Sequence, residues 1–286
     1  MTTVRTVLLD LSGTIHIGDK LIPGALAACQ KLVQNNVSIK FLTNTTKSSR
    51  RELLDQLYAL GFEKDLLKAD SLITNTQAAK QVVQKYKLKP YCLVQESLLG
   101  DLGLAVGGKD DDEIEYNSVL VGLAPEACYY QKLNDAFRIL MKEKERRKKE
   151  AIATAQRPPL LIALHRGKYL RDADGGLSLG PGGFVACLQE AAGLDESDIA
   201  VMGKPTGAFF HAAIPEGISP PETVMVGDDV KQDVIGAKEA GIGLGILVKT
   251  GKYQEGDEVA DAGEAGPDIV VSSIVEAVEY ILARQE

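Results

Sequence analysis

The chain has no excess of positive charge, no paired cysteines and no long apolar run. Its Lys and Arg number 32 against 40 Asp and Glu, a formal net charge of −8. Binding along a nucleic-acid backbone is done by Lys and Arg displacing counterions, so this balance argues against nucleic acid as a partner. A phosphorylated ligand would have to be held by a local site instead. The four cysteines, Cys29, Cys92, Cys128 and Cys187, lack paired spacing, which argues against a disulfide framework or a zinc site. Reduced, buried thiols in a reducing compartment are the expectation. No apolar stretch approaches the ~20 residues needed to span a bilayer. Met1 to Leu9 reads as a strand running into an acidic loop rather than as a cleaved leader. A cytoplasmic chain with no membrane partner is therefore expected.

What is present is ordinary globular material: 286 residues, 45% hydrophobic and 25% charged, enough for one large domain or two modest ones. Strand and helix patterns alternate along both ends. Strands are read at Thr6–Asp10, Ser38–Thr43, Ala200–Met202, Thr223–Val226, Gly243–Lys249 and Asp268–Val271. Helices are read at Gly24–Asn35, Ser49–Leu60, Gly207–Ala213, Val230–Ala240 and Ile274–Leu282. Such alternation predicts an α/β fold with a doubly wound parallel sheet. Gly61 and Gly241 sit where left-handed helix caps belong.

Four of these segments end in polar groups, at the strand ends where open α/β sheets do their chemistry. Asp10, Ser12, Gly13 and Thr14 follow Val7-Leu8-Leu9; Thr43 and Asn44 follow Phe41-Leu42; Lys204 follows Val201-Met202-Gly203; and Gly227-Asp228-Asp229, with Asp233 four positions on, follows Val224-Met225-Val226. Taken singly, Thr43, Asp228 and Asp229 could cap helices and Lys204 could be a solvated charge. Together they form a set in which paired carboxylates call for a hard divalent cation with oxygen ligands.

In this order and wording the sequence resembles the haloacid dehalogenase superfamily of phosphotransferases, over nearly the whole chain. The resemblance implies a Rossmann-like core at residues 1–77 and 184–286, with an inserted α+β domain of the C2 cap type at 78–183. It implies Asp10, Ser12 and Lys204 at the catalytic positions, with Asp10 the nucleophile. Mg²⁺ would be held by Asp10, the main-chain carbonyl of Ser12 and Asp228, with Asp229 and Asp233 orienting from behind. Thr43, the N–H of Asn44 and Lys204 would bind phosphoryl oxygens. Asp10 attacking phosphorus would give an aspartyl phosphate and split one hard hydrolysis into two easier ones.

Ser12 departs from the superfamily pattern, which usually has a second aspartate there as general acid and base. A serine hydroxyl has no accessible pKa near neutrality, and general acid–base catalysis is typically worth ~10²–10⁴-fold. Alkyl phosphates with poor leaving groups should suffer most; phosphohistidine, phospholysine and pyrophosphate should suffer less. The expected function is an Mg²⁺-dependent phosphatase of small phosphorylated compounds or phosphoamino acids. The alternative is a phosphate-binding or regulatory protein with an impaired site. A phosphorelay receiver also uses Asp, Thr and Lys, but places its carboxylate pair near the start and needs less than half this length. A homodimer is left open.

His16 is a candidate proton donor, whereas His165 and His211 read as structural. Arg166, Tyr169 and Arg171 are candidate substrate contacts. Lys142 to Arg157 is almost wholly charged with no apolar face, and reads as a solvated helical extension or flexible insertion. Gly107–Glu115 and Gln254–Pro267 read as loops, the second on the surface, and Gly175–Gly183 as turn-rich.

Overall fold

A computed structural model describes residues 3–46, 48–104, 115–150, 157–171, 176–260 and 266–285, apart from the side chains of 150, 170, 171 and 260. In chain order the strands are β1 (Thr6–Asp10), β2 (His16–Ile17), β3 (Lys20–Leu21), β4 (Ser38–Thr43), β5 (Leu72–Thr74), β6 (Pro90–Leu93), β7 (Ser118–Val121), β8 (Leu161–Ala163), β9 (Tyr169–Arg171), β10 (Leu177–Leu179), β11 (Ile199–Val201), β12 (Thr223–Gly227), β13 (Leu244–Val248) and β14 (Ile269–Val271). The chain divides into two compact units, one of residues 1–43, 51–74 and 204–286, the other of 44–50 and 75–203.

In the first unit six strands form a parallel sheet in the order β14-β13-β12-β1-β4-β5. Every residue of β1 and of β12 is buried, as expected of central strands covered on both faces. One face packs Val7, Leu9, Phe41, Val226 and Ile246 with the helices Ala25–Gln34 and Ile274–Ala283. The other packs Leu247 with Val230 and Val234. Gly61 and Gly241 both have positive φ, +102° and +81°, as their capping positions require.

In the second unit β11-β8-β7-β6 form a parallel sheet, and β9 pairs antiparallel with β10. This unit was expected to be α+β. Its main sheet is parallel throughout, so it is itself α/β with a small antiparallel ribbon added. The expected boundary at 183/184 also differs from the division found. The helix Pro181–Ala192 packs Val185 and Leu188 against Leu140 and Leu161, and β11 pairs with β8. Residues 184–203, assigned to the core by ending the inserted domain at the turn-rich Gly175–Gly183, therefore belong to the second unit. Alternation reveals a strand but not which sheet it joins.

Lys142 lies on a helix that runs from Tyr130 to Glu150. Its charged end is not wholly solvated: Glu143 and Arg147 are 2% and 4% exposed and continue the buried stripe of Ala136 and Leu140. Of the turn-rich stretch, 177–179 is β10 and 181–183 opens a helix. Residues 107–114, 151–156 and 261–265 of the predicted loops and insertion lie outside the described residues, and Asp257–Ala260 is a helical turn. Of the cysteines, Cys29 is buried and its thiol pKa is pushed up to about 12 by desolvation, but Cys187 is exposed, against the expectation. Among the described residues, no helix is long and apolar enough to cross a membrane.

Candidate active site

Sheet register brings the acidic residues of the first unit together. Leu9 pairs with Val226, so Asp10 stands level with Gly227, one residue short of Asp228. Gly227 is required by what lies over it: a Cβ there would collide with the Asp233 carboxylate. Asp233 lies on a π-helical segment, Val230–Ile235, and accepts from the Asp229 N–H through Oδ2 at 3.1 Å. One carboxylate oxygen from each of Asp10, Asp228 and Asp233 lies within 4.8 Å of the others, and all three side chains are buried.

Lys204, 3% exposed, joins this cluster. Its Nζ lies 2.5 Å from Asp10 Oδ1 and 2.6 Å from Asp233 Oδ1. Burial works against the ammonium, but the Asp10 and Asp233 carboxylates outweigh it and raise the lysine pKa above its ordinary value. One lysine does not neutralise three acids. Desolvation, then repulsion from Asp10 and Asp233, pushes the Asp228 carboxyl well above the usual carboxylate range. Desolvation raises Asp233 to about 7 despite the attraction of Lys204. Asp10 Oδ2 is buried with no hydrogen-bond partner. An all-oxygen donor set with excess negative charge and an orphaned carboxylate oxygen fits a hard divalent cation.

The other predicted positions divide. Thr43 ends β4 one residue past Leu42, the partner of Asp10, and is 3% exposed. Asn44 falls in the second unit, where its carbonyl accepts from Asn75 Nδ2 at 3.2 Å. Ser12 is exposed on the turn after β1 and bridges to His16. Asp229 caps its helix, accepting from the N–H groups of Lys231 and Gln232 at 3.1 and 3.0 Å. Asp233, expected to orient from behind, stands in the cluster itself.

His16 is 7% exposed and its Nδ1 donates to the Gly18 carbonyl at 2.9 Å, holding the β2–β3 turn. His211 donates to the Ala240 carbonyl, and His165 accepts from the Gly167 N–H. Arg166 pairs with Glu196 at 3.0 Å and with Gln189 at 3.1 Å, and Tyr169 is 61% exposed. The side chain of Arg171 lies outside the described residues. Sequence reasoning gave no role to Thr250, Gly251 and Lys252, which close over Gly13 and Asp228. The signal was a glycine between polar residues just past a buried strand.

Residues 7–105 match the family model described as haloacid dehalogenase-like hydrolase, and residues 201–277 match a second, HAD-hydrolase-like model. The chain is 39% identical over 280 residues to haloacid dehalogenase-like hydrolase domain-containing protein 2 of Bos taurus, covering 98% of this chain and 96% of that one. The chain belongs to the haloacid dehalogenase-like hydrolase family. It is also 31% identical over 291 residues to phospholysine phosphohistidine inorganic pyrophosphate phosphatase of Rattus norvegicus, covering 100% of this chain and 97% of the other. Among solved structures, a 4-nitrophenylphosphatase of Thermotoga maritima superposes with a TM-score of 0.79 at 23% identity, covering 97% of each chain. This family member is a phosphatase with the fold of its relatives.

Proposed function

We propose that the protein is an Mg²⁺-dependent phosphatase that works through an aspartyl phosphate on Asp10. Its substrates are small compounds whose leaving groups need little protonation, namely phosphoamidates such as phosphohistidine or phospholysine, and pyrophosphate. The observation that supports this most is the Asp10, Asp228, Asp233 and Lys204 cluster with its orphaned Asp10 oxygen. The relative named for phospholysine, phosphohistidine and pyrophosphate agrees with the substrate class.

Asp10 and Asp228, with the Ser12 main-chain carbonyl, would hold Mg²⁺, which when bound neutralises phosphoryl oxygens and screens the excess carboxylate charge. Lys204 holds one oxygen of Asp10 in a fixed direction and opposes the negative charge of the attacked phosphoryl group. Thr43 offers its hydroxyl, and Asn44 its N–H, to the phosphoryl oxygens. Asp10 bonds to phosphorus as the bond to the leaving group breaks, and water then hydrolyses the acyl phosphate. Asp229 and Asp233 keep the strand end in place. The second unit is the C2-type cap in this reading.

The test is Asp10→Asn, assayed for phosphate release with Mg²⁺ and for trapping of beryllofluoride. Loss of the nucleophile should cost on the order of 10⁴-fold or more in turnover and abolish trapping; near wild-type hydrolysis would sink the assignment. Ser12 favours a second reading, a phosphate-binding protein with an impaired site. Steady-state release of phosphate from phosphohistidine or pyrophosphate separates the two.

A further inference from the structure

The loop after β13, Thr250-Gly251-Lys252, has no part in the chemistry above, yet it touches the acidic cluster at several points. Gly13 and Gly251 have φ of +102° and +60°, and a Cβ on either would collide with Asp228 Oδ2. Two glycine backbones thus close on one carboxylate oxygen. The Lys252 N–H donates to that same oxygen at 2.6 Å. Thr250 Oγ1 donates to the Gly13 carbonyl, tying the loop to the turn that follows Asp10. The Lys252 ammonium also lies 3.5 Å from Asp229 Oδ2, but its side chain is 47% exposed, so that pair is worth little.

We propose that Thr250-Gly251-Lys252 is a positioning clasp for the metal site, an inference that rests on the metal-dependent reading above. The backbone N–H of Lys252 fixes the rotation of the Asp228 carboxylate, and the Thr250 hydroxyl fixes the Ser12–Gly13 turn beside it. The two halves of the donor set, which come from β1 and β12, are thereby locked to one another through a third element. Partners that orient metal ligands in this way commonly govern affinity as strongly as they govern rate. The residues of the clasp are positioning residues, since they touch the ligands and not the substrate.

Direct binding of Mn²⁺, followed by electron paramagnetic resonance of the free ion, tests this without an activity assay. Thr250→Val removes the hydroxyl while keeping shape, and should weaken Mn²⁺ binding by about tenfold. Thr250→Ser keeps the hydroxyl and should restore wild-type affinity. Melting in EDTA should be nearly the same for both, which a purely structural role would not give. Gly251→Ala, measured alongside, sets a Cβ against the Asp228 carboxylate and should weaken Mn²⁺ at least as much as Thr250→Val, and the melts in EDTA show that each variant compared is folded. Wild-type affinity in both Thr250→Val and Gly251→Ala overturns the clasp, as does a serine variant as weak as the valine one. Asp228→Asn distinguishes the two levels: if it loses Mn²⁺ while the clasp variants do not, only the clasp fails. If it also binds as wild type, the metal reading fails and the clasp with it.

Discussion

Each unit buries a cluster of charges, and the two clusters are built differently. In the second unit Glu143 and Asp198 face Arg146 and Arg147: Glu143 lies 2.8 Å from Arg146, and Asp198 lies 3.3 Å from Arg147, which also donates to the Pro158 carbonyl. Two acids meet two guanidinium groups, of which Arg147 is buried and Arg146 is 47% exposed. In the first unit, among the described residues, Asp10 and Asp233 pair with the buried Lys204, while the third acid, Asp228, accepts from the backbone N–H of Lys252. Burial of charge is common to both, so burial by itself does not mark a site. The imbalance does, because an excess of buried carboxylate is costly unless something outside the chain offsets it.

The largest effect expected from pushing this comparison comes at Ser12, where a carboxylate can be added beside the excess. Ser12→Asp restores the acid the superfamily normally has, and should raise turnover of an alkyl phosphate by up to ~10²–10⁴-fold. Phosphohistidine and pyrophosphate should gain much less, because their leaving groups need little protonation. The ratio of the two gains decides the matter; equal gains, or none on either substrate, would shift weight to the binding-protein reading. A smaller effect is expected in the balanced cluster. Arg147→Ala leaves Asp198 without its guanidinium partner and should destabilise the fold by about 3 kcal/mol, read by chemical denaturation. An unchanged midpoint would show that this cluster is no more than a solvated ion pair.

The ends of β1 and β12 were legible because a short apolar run followed by Asp or Gly-Asp-Asp is a local pattern, and register then does the rest. Lys204 was legible for the same reason. Its partner Asp233 was legible as a residue near the site, but sequence spacing does not show the π-helical winding that swings its carboxylate over Gly227. Pro181–Gly183 was read as the close of a turn-rich stretch because Gly182 and Gly183 mask the helix Pro181–Ala192, whose other signals, proline at its start and Gly193 in the left-handed region after it, were present. β5 is three residues long and its pattern is too short to read. Burial of Glu143 and Arg147 was illegible in principle, since polar residues on a buried stripe look solvated until their partners, far along the chain, are known. Thr250 and Gly251 failed for that reason also.

The central claim is that the carboxylate excess belongs to a divalent cation, and thermal unfolding of wild type and Asp228→Asn, with EDTA and with Mg²⁺, tests it most directly. Asp228 and Asp233 have folded pKa values above their ordinary ones, Asp233 at about 7. Without metal their contribution to stability is therefore present below the ordinary aspartate value, ~4, and is lost as pH rises through the folded values. The stabilisation of wild type by Mg²⁺ should accordingly grow from about pH 5 to about pH 8 as protons leave the site. Asparagine at 228 can still accept the Lys252 N–H, so at about pH 8 in EDTA Asp228→Asn should be more stable than wild type by about 1 kcal/mol or more and should gain little from Mg²⁺. A less stable Asp228→Asn in EDTA, or an equal Mg²⁺ gain in both proteins, would contradict the account.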